Sequence, residues 1–276
     1  MTLQKVTSKN FLSRGSSGVE PVYRNSSSYH LSVAGILVKI LFFFQKNMKK
    51  SKNVLLIVLP YMVAPNREVK RKGVRSYLAF PYGLLTVASY LQANSKKISQ
   101  VSILDLNLYT LDEVPMVLSK RLDLLPDIVG ISFTFDVSYN HVKTITEQIK
   151  AHDEKTIVVM GGPAATVSYA EILEKQNCID AICYTEGELA MCRLVDSEDP
   201  LKELASPPWI TVKSLAAKTT PKSMYVENLN DVIRIDYNLV EIEEYSMKEA
   251  FSPFASYRNE PSCMLPSQIS KYFTIW

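Results

Sequence analysis

The stretch Thr156-Ile-Val-Val-Met160-Gly161-Gly162-Pro163 joins an aliphatic run to a glycine pair and a proline. An unbroken apolar run of this length is typical of a parallel strand that is covered on both faces. Gly-Gly-Pro indicates a turn into a helix, because proline favours the first turn of a helix. We therefore predict a strand at Thr156–Met160, followed after the turn by a helix at Ser168–Lys175.

The same unit repeats on both sides of this stretch. Further strands are predicted at Val54–Leu59, Gln100–Leu104, Ile128–Phe133 and Ala181–Tyr184. Helical periodicity lies between them, at Tyr82–Ala93, Asp112–Leu122, a helix capped by Ser138, and Gly187–Val195. Strands that alternate with helices predict an α/β fold. We expect a doubly wound, five-stranded parallel sheet of the flavodoxin-like or Rossmann-like kind, in the order 2-1-3-4-5, with a C-terminal linker segment.

Composition divides the chain into three parts. Residues 1–47 are predicted to be a disordered or helical N-terminal extension, since 1–30 are rich in serine and poor in large aliphatic residues. Residues 53–200 are the predicted α/β domain. Residues 206–276 are a predicted linker, because the alternation stops after Val195. The chain ends on the apolar run Phe273–Trp276, which suggests that a longer protein continues from it.

Charge and cysteine content exclude several classes of protein. Residues 1–52 hold nine Lys/Arg and one acidic residue, so the remainder of this chain of net charge +3 is mildly acidic. That pattern does not suggest a nucleic-acid surface. The longest apolar run, Gly35–Phe44, is too short to span a bilayer. Four cysteines without metal-ligand spacing favour a reduced, cytoplasmic setting.

Ligands of open parallel sheets bind beyond the carboxyl ends of the strands, and four predicted strand ends carry informative residues. Glycines let a ligand approach the backbone, and hydroxyl groups can bond to it. We expect Ser132 and Thr134 to point to opposite sides of an extended segment, so that at most one of them faces a given ligand directly. The predicted ligand-binding residues are Pro60, Tyr61, Ser132, Thr134, Gly161, Gly162, Pro163, Thr166, Glu186, Gly187 and Glu188.

Common catalytic motifs are missing from the sequence. It contains no GxSxG, no phosphate-binding Walker loop and no GxGxxG. His30, His141 and His152 have no cysteine or carboxylate at metal-ligand spacing. A phospho-accepting receiver domain is rejected, since Pro60-Tyr61 stands where its acidic pair would follow strand one. We therefore predict neither catalytic residues nor a metal site.

Several segments together resemble the cobalamin-binding domain of B12-dependent radical S-adenosylmethionine (SAM) enzymes. The resemblance covers residues 53–276 in order and spacing. It rests on the helix Phe80–Leu91, the strand Val101–Asn107, the strand Pro126–Ser132, the turns Gly161–Thr166 and Glu186–Glu188, and the linker Val226–Tyr245. It implies cobalamin as cofactor, and SAM with a 4Fe-4S cluster only in the completed enzyme, whose radical SAM core lies in cis or in an adjacent chain.

Two departures from the family pattern stand out. The CxxxCxxC motif that holds the cluster is absent from these residues. Ala164 stands where many members carry histidine, and the DxHxxG motif is missing after strand one. The resemblance therefore implies cobalamin binding without a histidine ligand to cobalt.

Three functions remain open from the sequence. The first is a cobalamin-binding module of a radical SAM enzyme, of methyltransferase type. The second is a cofactor-free Rossmann-like scaffold or partner-binding domain, and the third is a binder of nucleotide-type small molecules. Fold analogy alone does not separate them.

Overall fold

The computed structural model describes residues 51–61, 80–227 and 234–245. Their core is a six-stranded sheet in the order β2-β1-β3-β4-β5-β6. The first five strands pair in parallel, which confirms the predicted order, and β6 is antiparallel to β5. The strands are β1 Lys52–Val58, β2 Ile98–Asp105, β3 Ile128–Ser132, β4 Ile157–Gly161, β5 Ala181–Cys183 and β6 Trp209–Ile210.

Helices cover both faces of the sheet. They are α1 Tyr82–Asn94, α2 Val114–Leu122, α3 Tyr139–His152, α4 Pro163–Lys175, α5 Glu188–Asp196, α6 Pro200–Glu203, α7 Val212–Ala216 and α8 Ile242–Tyr245. Val54 and Leu56 of β1 pack with α1 and α5, whereas Leu55 and Ile57 pack with α2, α3 and α4. Successive side chains of a strand point to opposite faces, so a strand buried on both sides reads as a continuous apolar run.

Two helix starts differ from the prediction. Helix α4 begins at Pro163, and the predicted start at Ser168 is instead an interruption with φ −105° and ψ 17°. Ser138 precedes α3 as predicted, but its side chain makes no capping hydrogen bond. The reason is local: Ser138 ends a short 3-10 turn, Asp136–Ser138, and already has helical backbone angles.

The sheet extends beyond the predicted domain boundary at residue 200. Trp209 and Ile210 pair with Cys183 and Ile182 and bury their side chains in the cores on opposite faces of the sheet. This short edge strand directly follows Pro207-Pro208, within residues that the sequence analysis predicts to be a linker.

A later part of the predicted linker also packs on the domain. Ile235, Leu239 and Val240 contact the core on the α1 side, and the Asp236 N–H donates a 2.8 Å hydrogen bond to Ser89 Oγ. The segment from 234 to 245, which we call the C-terminal segment, is therefore packed against the domain.

Some predictions fall on other parts of the chain. The extension at 1–47 and the apolar end at Phe273–Trp276 lie outside the described residues. Among the helices that the structure describes, none has the length and apolar character needed to cross a membrane.

Candidate ligand-binding site

A cavity of about 150 Å³ lies where the carboxyl ends of β1 and β3 meet. The helix after β1 packs on one face of the sheet and the helix after β3 on the other, so a crevice opens between the two strand ends. Such a topological switch point is the usual ligand site of open α/β sheets. The cavity walls come from three groups of residues: Val58, Leu59 and Tyr61 at the end of β1, Phe80–Leu84 at the start of α1, and Ser132, Thr134, Phe135 and Ser138 after β3.

The polar groups of this cavity are mostly hydroxyls. Ser132, Thr134 and Ser138 all line it, and Ser132 Oγ lies 3.2 Å from Thr134 Oγ1. The expectation that only one of Ser132 and Thr134 faces the site is therefore wrong. Side chains two residues apart on an extended segment point to the same side, so Ser132 at the end of β3 and Thr134 just beyond it both face the cavity.

Tyr61 forms the aromatic part of the wall. Its ring centroid lies 4.7 Å from that of Phe135, and its backbone N–H donates a 2.8 Å hydrogen bond to Asn107 Oδ1. Phe80 lines the opposite side, with its ring centroid 4.8 Å from Tyr82. Pro60, which was predicted to bind the ligand, is buried and does not line the cavity.

The Gly161–Thr166 turn lies beside this cavity but does not line it. Gly161 pairs in register with Ser132, and Gly162 has φ 110° and ψ 167°. That region is open almost only to glycine, so the sequence at position 162 is dictated by the backbone. Pro163 opens α4, and Thr166 Oγ1 accepts a 3.4 Å hydrogen bond from the Thr185 N–H.

The Glu186–Glu188 turn is tied to other parts of the domain. Glu186 Oε2 accepts a hydrogen bond from the Val226 N–H at 3.2 Å, and Gly187 precedes the first residue of α5. Glu188 is only 3% exposed, and its Oε1 lies 2.8 Å from Thr86 Oγ1 on α1. Burial raises the pKa of Glu188 to about 7, against a smaller lowering effect of the Thr86 hydrogen bond.

Three of the predicted residues thus meet in one cavity: Tyr61, Ser132 and Thr134. The others form the neighbouring turns after β1, β4 and β5. Sequence reasoning missed Phe80 and Ser138 as cavity residues, although both stand at the start of a predicted helix.

It also missed Asp105, the last residue of β2, and Asn107, which follows two positions later. Asn107 Nδ2 donates to Leu59 O at 3.0 Å while its Oδ1 accepts from the Tyr61 N–H, so the side chain holds the end of β1. The sequence does contain a signal for them: polar residues stand at positions 105 and 107, where the apolar run of β2 ends.

Metal-ligating groups do not gather in the part of the chain that the structure describes. No set of three or more His, Cys, Asp or Glu side chains there could hold a metal ion. His152 lies at the far end of α3, where Nε2 is 3.1 Å from Asp123 Oδ1, and His141 lies in the first turn of that helix.

Comparison with known proteins shows that part of the chain matches a family model. Residues 72–195 match the model of the B12-binding domain. The chain is 29% identical over 198 residues to an uncharacterized methyltransferase of Pyrococcus horikoshii, a match that covers 71% of this chain and 40% of that protein. It is also 29% identical over 170 residues to the anaerobic magnesium-protoporphyrin IX monomethyl ester cyclase of Rubrivivax gelatinosus, covering 60% of this chain and 30% of that protein.

Among solved structures, the chain is similar to the radical S-adenosylmethionine methyltransferase TsrM from Kitasatospora setae. The identity is 21% and the TM-score 0.42, over 52% of this chain and 25% of that one. In the two curated relatives the matched regions are 40% and 30% of the protein, so the chain spans less than half of their length.

The family match agrees with the resemblance drawn from the strand ends and turns. Its range includes α1 to α5 and the turns after β3, β4 and β5. The chain therefore carries a segment, residues 72–195, that matches the B12-binding domain model.

Proposed function

We propose that this chain binds cobalamin at the carboxyl edge of its sheet, as the cobalamin-binding module of a radical SAM enzyme of methyltransferase type. One observation carries the proposal: a small cavity with three serine and threonine hydroxyls in its lining lies at the β1–β3 switch point, and most of its lining residues belong to the segment that matches the B12-binding domain. Position, lining and family support the same class of ligand.

The residues present fit one part of cobalamin. Pockets that enclose whole drug-sized ligands measure roughly 300–1,000 Å³, so a cavity of about 150 Å³ takes only a ring-sized group. The nucleotide tail of cobalamin ends in such a group. Gly83 leaves room at one wall, and Ser132 and Thr134 offer hydrogen bonds at another.

The corrin ring is far larger than the cavity and would lie outside it. Apolar side chains border that edge: Phe135 is 41% exposed, Val137 62% and Val167 84%. The segment after β3 and the first turn of α4 are adjacent, because the Ala165 N–H donates to Phe133 O at 3.4 Å. Covering these exposed apolar side chains with a large ring is favourable, because it removes their surface from water.

The chemistry belongs to the cofactor, and the chain supplies position. Bound cobalamin would provide a cobalt centre that carries a methyl group. Tyr61, Phe80 and Phe135 supply aromatic walls to the cavity, and Gly162 allows a close approach to the backbone. SAM, the iron–sulfur cluster and the substrate would be held by a radical SAM core that follows in cis or in an adjacent chain.

Reconstitution tests the proposal. The full chain is mixed with hydroxocobalamin and passed through gel filtration, and the visible spectrum of the protein peak is recorded. Corrin bands that travel with the protein support cobalamin binding. A colourless protein contradicts it and favours a cofactor-free scaffold or a nucleotide-type ligand.

A further inference from the structure

A buried hydrogen-bond chain runs from the C-terminal segment to the cavity wall. It begins at Tyr245, whose hydroxyl donates a 3.0 Å hydrogen bond to Asp105 Oδ2. Asp105 Oδ1 accepts from the backbone N–H of Asn107 at 2.9 Å and from its Nδ2 at 2.8 Å. The Asn107 side chain then bonds to Leu59 O and to the Tyr61 N–H.

The three side chains that form this hydrogen-bond chain are shielded from water. Tyr245 is 5% exposed, Asp105 3% and Asn107 2%. Burial raises the pKa of Asp105, and the hydrogen bonds from Asn107 and Tyr245 act in the opposite direction. A buried carboxyl group that loses a donor carries a large desolvation cost, so the hydrogen bonds of this chain depend on one another.

Asn107 takes the place of a neighbouring strand at the end of β1. The register of β1 with β2 stops at Val58 and Asp105, so the backbone groups of Leu59 and Tyr61 lie beyond that ladder. The Asn107 amide satisfies one group of each residue. Leu59 and Tyr61 both line the cavity, so the hydrogen bonds of Asn107 hold the cavity wall that the end of β1 forms.

Tyr245 also contacts the opposite wall. Its ring meets that of Phe80 edge-on, with centroids 5.0 Å apart, and Phe80 lines the cavity beside Pro81. Aromatic pairs in this geometry are attractive beyond the area that they bury. One residue of the C-terminal segment is thus linked to the end of β1 by hydrogen bonds and to the entrance of α1 by ring packing.

We infer that Tyr245 is a positioning residue for the cavity: docking of the C-terminal segment holds the end of β1 and Phe80 in the arrangement that forms the ligand site. Release of the segment loosens both walls. If the site takes a ligand, ligand binding and docking of the segment favour each other, since coupling between two sites is reciprocal. Only this last step rests on the proposed function.

Amide hydrogen exchange in the full chain tests the inference. Tyr245→Phe removes the hydroxyl and keeps the ring, and Tyr237→Phe is the matched control, because Tyr237 lies in the same segment and its ring is also near Phe80, at 6.0 Å. We expect the Tyr61 N–H to exchange at least about tenfold faster in Tyr245→Phe, through loss of a buried hydrogen-bond partner. Tyr237→Phe and the Ile131 N–H in β3 are expected to keep wild-type rates.

Equal exchange of Tyr61 in wild type and Tyr245→Phe would overturn the inference. So would an equal rise at Ile131, because that result means general destabilisation rather than local positioning. A second measurement adds the ligand: hydroxocobalamin should bind Tyr245→Phe about tenfold more weakly than Tyr237→Phe. If the wild-type chain takes up no cobalamin, the proposed function fails, and the exchange comparison still decides the role of Tyr245.

Discussion

The Thr86 hydroxyl lies 2.8 Å from Glu188 Oε1 and also 2.8 Å from the carbonyl oxygen of Gly83. A hydroxyl has a single hydrogen, so it cannot donate to both oxygens. Both contacts become hydrogen bonds when Glu188 is protonated, because the carboxyl group then donates to Thr86 while Thr86 donates to Gly83. The raised pKa of Glu188, about 7, agrees with this arrangement.

The free energy of unfolding should therefore fall as the pH rises from about 4.5 to about 7. In that window the unfolded chain, with Glu188 at its ordinary pKa of 4.5, has released the proton that the folded chain retains. The folded state then binds more protons, so rising pH disfavours it, by about 3 kcal/mol in total for this group. Urea unfolding at a series of pH values measures the slope.

Glu188→Gln should remove that slope. The amide keeps a donor for Thr86 and has no charge to bury, so the variant is expected to be more stable than wild type at pH 8 by about 1–3 kcal/mol, with little difference at pH 4.5. Glu147→Gln is the control, since Glu147 is exposed on α3. A Glu188→Gln variant that keeps the wild-type slope would show that another group is responsible.

Gly162 should tolerate no side chain without cost. Its φ of 110° and ψ of 167° penalise any Cβ atom, so Gly162→Ala is expected to lower the free energy of unfolding by about 1–3 kcal/mol. Gly162→Leu is expected to abolish cobalamin binding as well, because the larger side chain fills the space beside the strand ends. Chemical denaturation and spectroscopic titration measure the two effects.

Comparing the two variants separates backbone strain from bulk. Both carry the strain of a Cβ atom, and only leucine adds volume. We expect folded Gly162→Ala to retain cobalamin. If folded Gly162→Leu binds like wild type, the turn after β4 does not contact the ligand.

His141 should not be a ligand to cobalt. It lies in the first turn of α3 and does not line the cavity, while His152 lies at the other end of that helix beside Asp123. The spectrum of hydroxocobalamin bound to His141→Ala should match that of wild type. A shifted spectrum in this variant would place an imidazole on the metal.

The order of the sheet could be predicted because both of its faces are covered. Strands such as Ile157–Gly161 are then apolar throughout, and they differ in length and spacing from the amphipathic helices between them. Trp209–Ile210 was missed because a strand of two residues after a proline pair has no periodicity to recognise.

The site was predictable only in part. Position at a strand end was enough to select Tyr61, Ser132 and Thr134, since the fold brings parallel strand ends together. The partners of Asp105 and Glu188 were not predictable. Tyr245 is 140 residues from Asp105 and Thr86 is 102 residues from Glu188, and nothing local in the sequence distinguishes a buried carboxyl group from an exposed one.

A bulky side chain in the cavity should block the ligand. Thr134 is exposed and lines the cavity, so Thr134→Phe is expected to reduce cobalamin affinity at least about tenfold with little loss of stability. Thr144→Phe, on the exposed surface of α3, is the matched control for an added aromatic ring. Equal affinities of the two variants, measured by absorbance titration, would move the ligand away from this cavity.

A comparison of two corrinoids tests whether the cavity between β1 and β3 holds the nucleotide tail of cobalamin. The full chain is titrated with hydroxocobalamin and with cobinamide, which has the same corrin ring without the nucleotide tail. We predict that cobalamin binds at least about a hundredfold more tightly, because only its tail can bury an aromatic ring in the cavity. Equal affinity for the two corrinoids would contradict the claim.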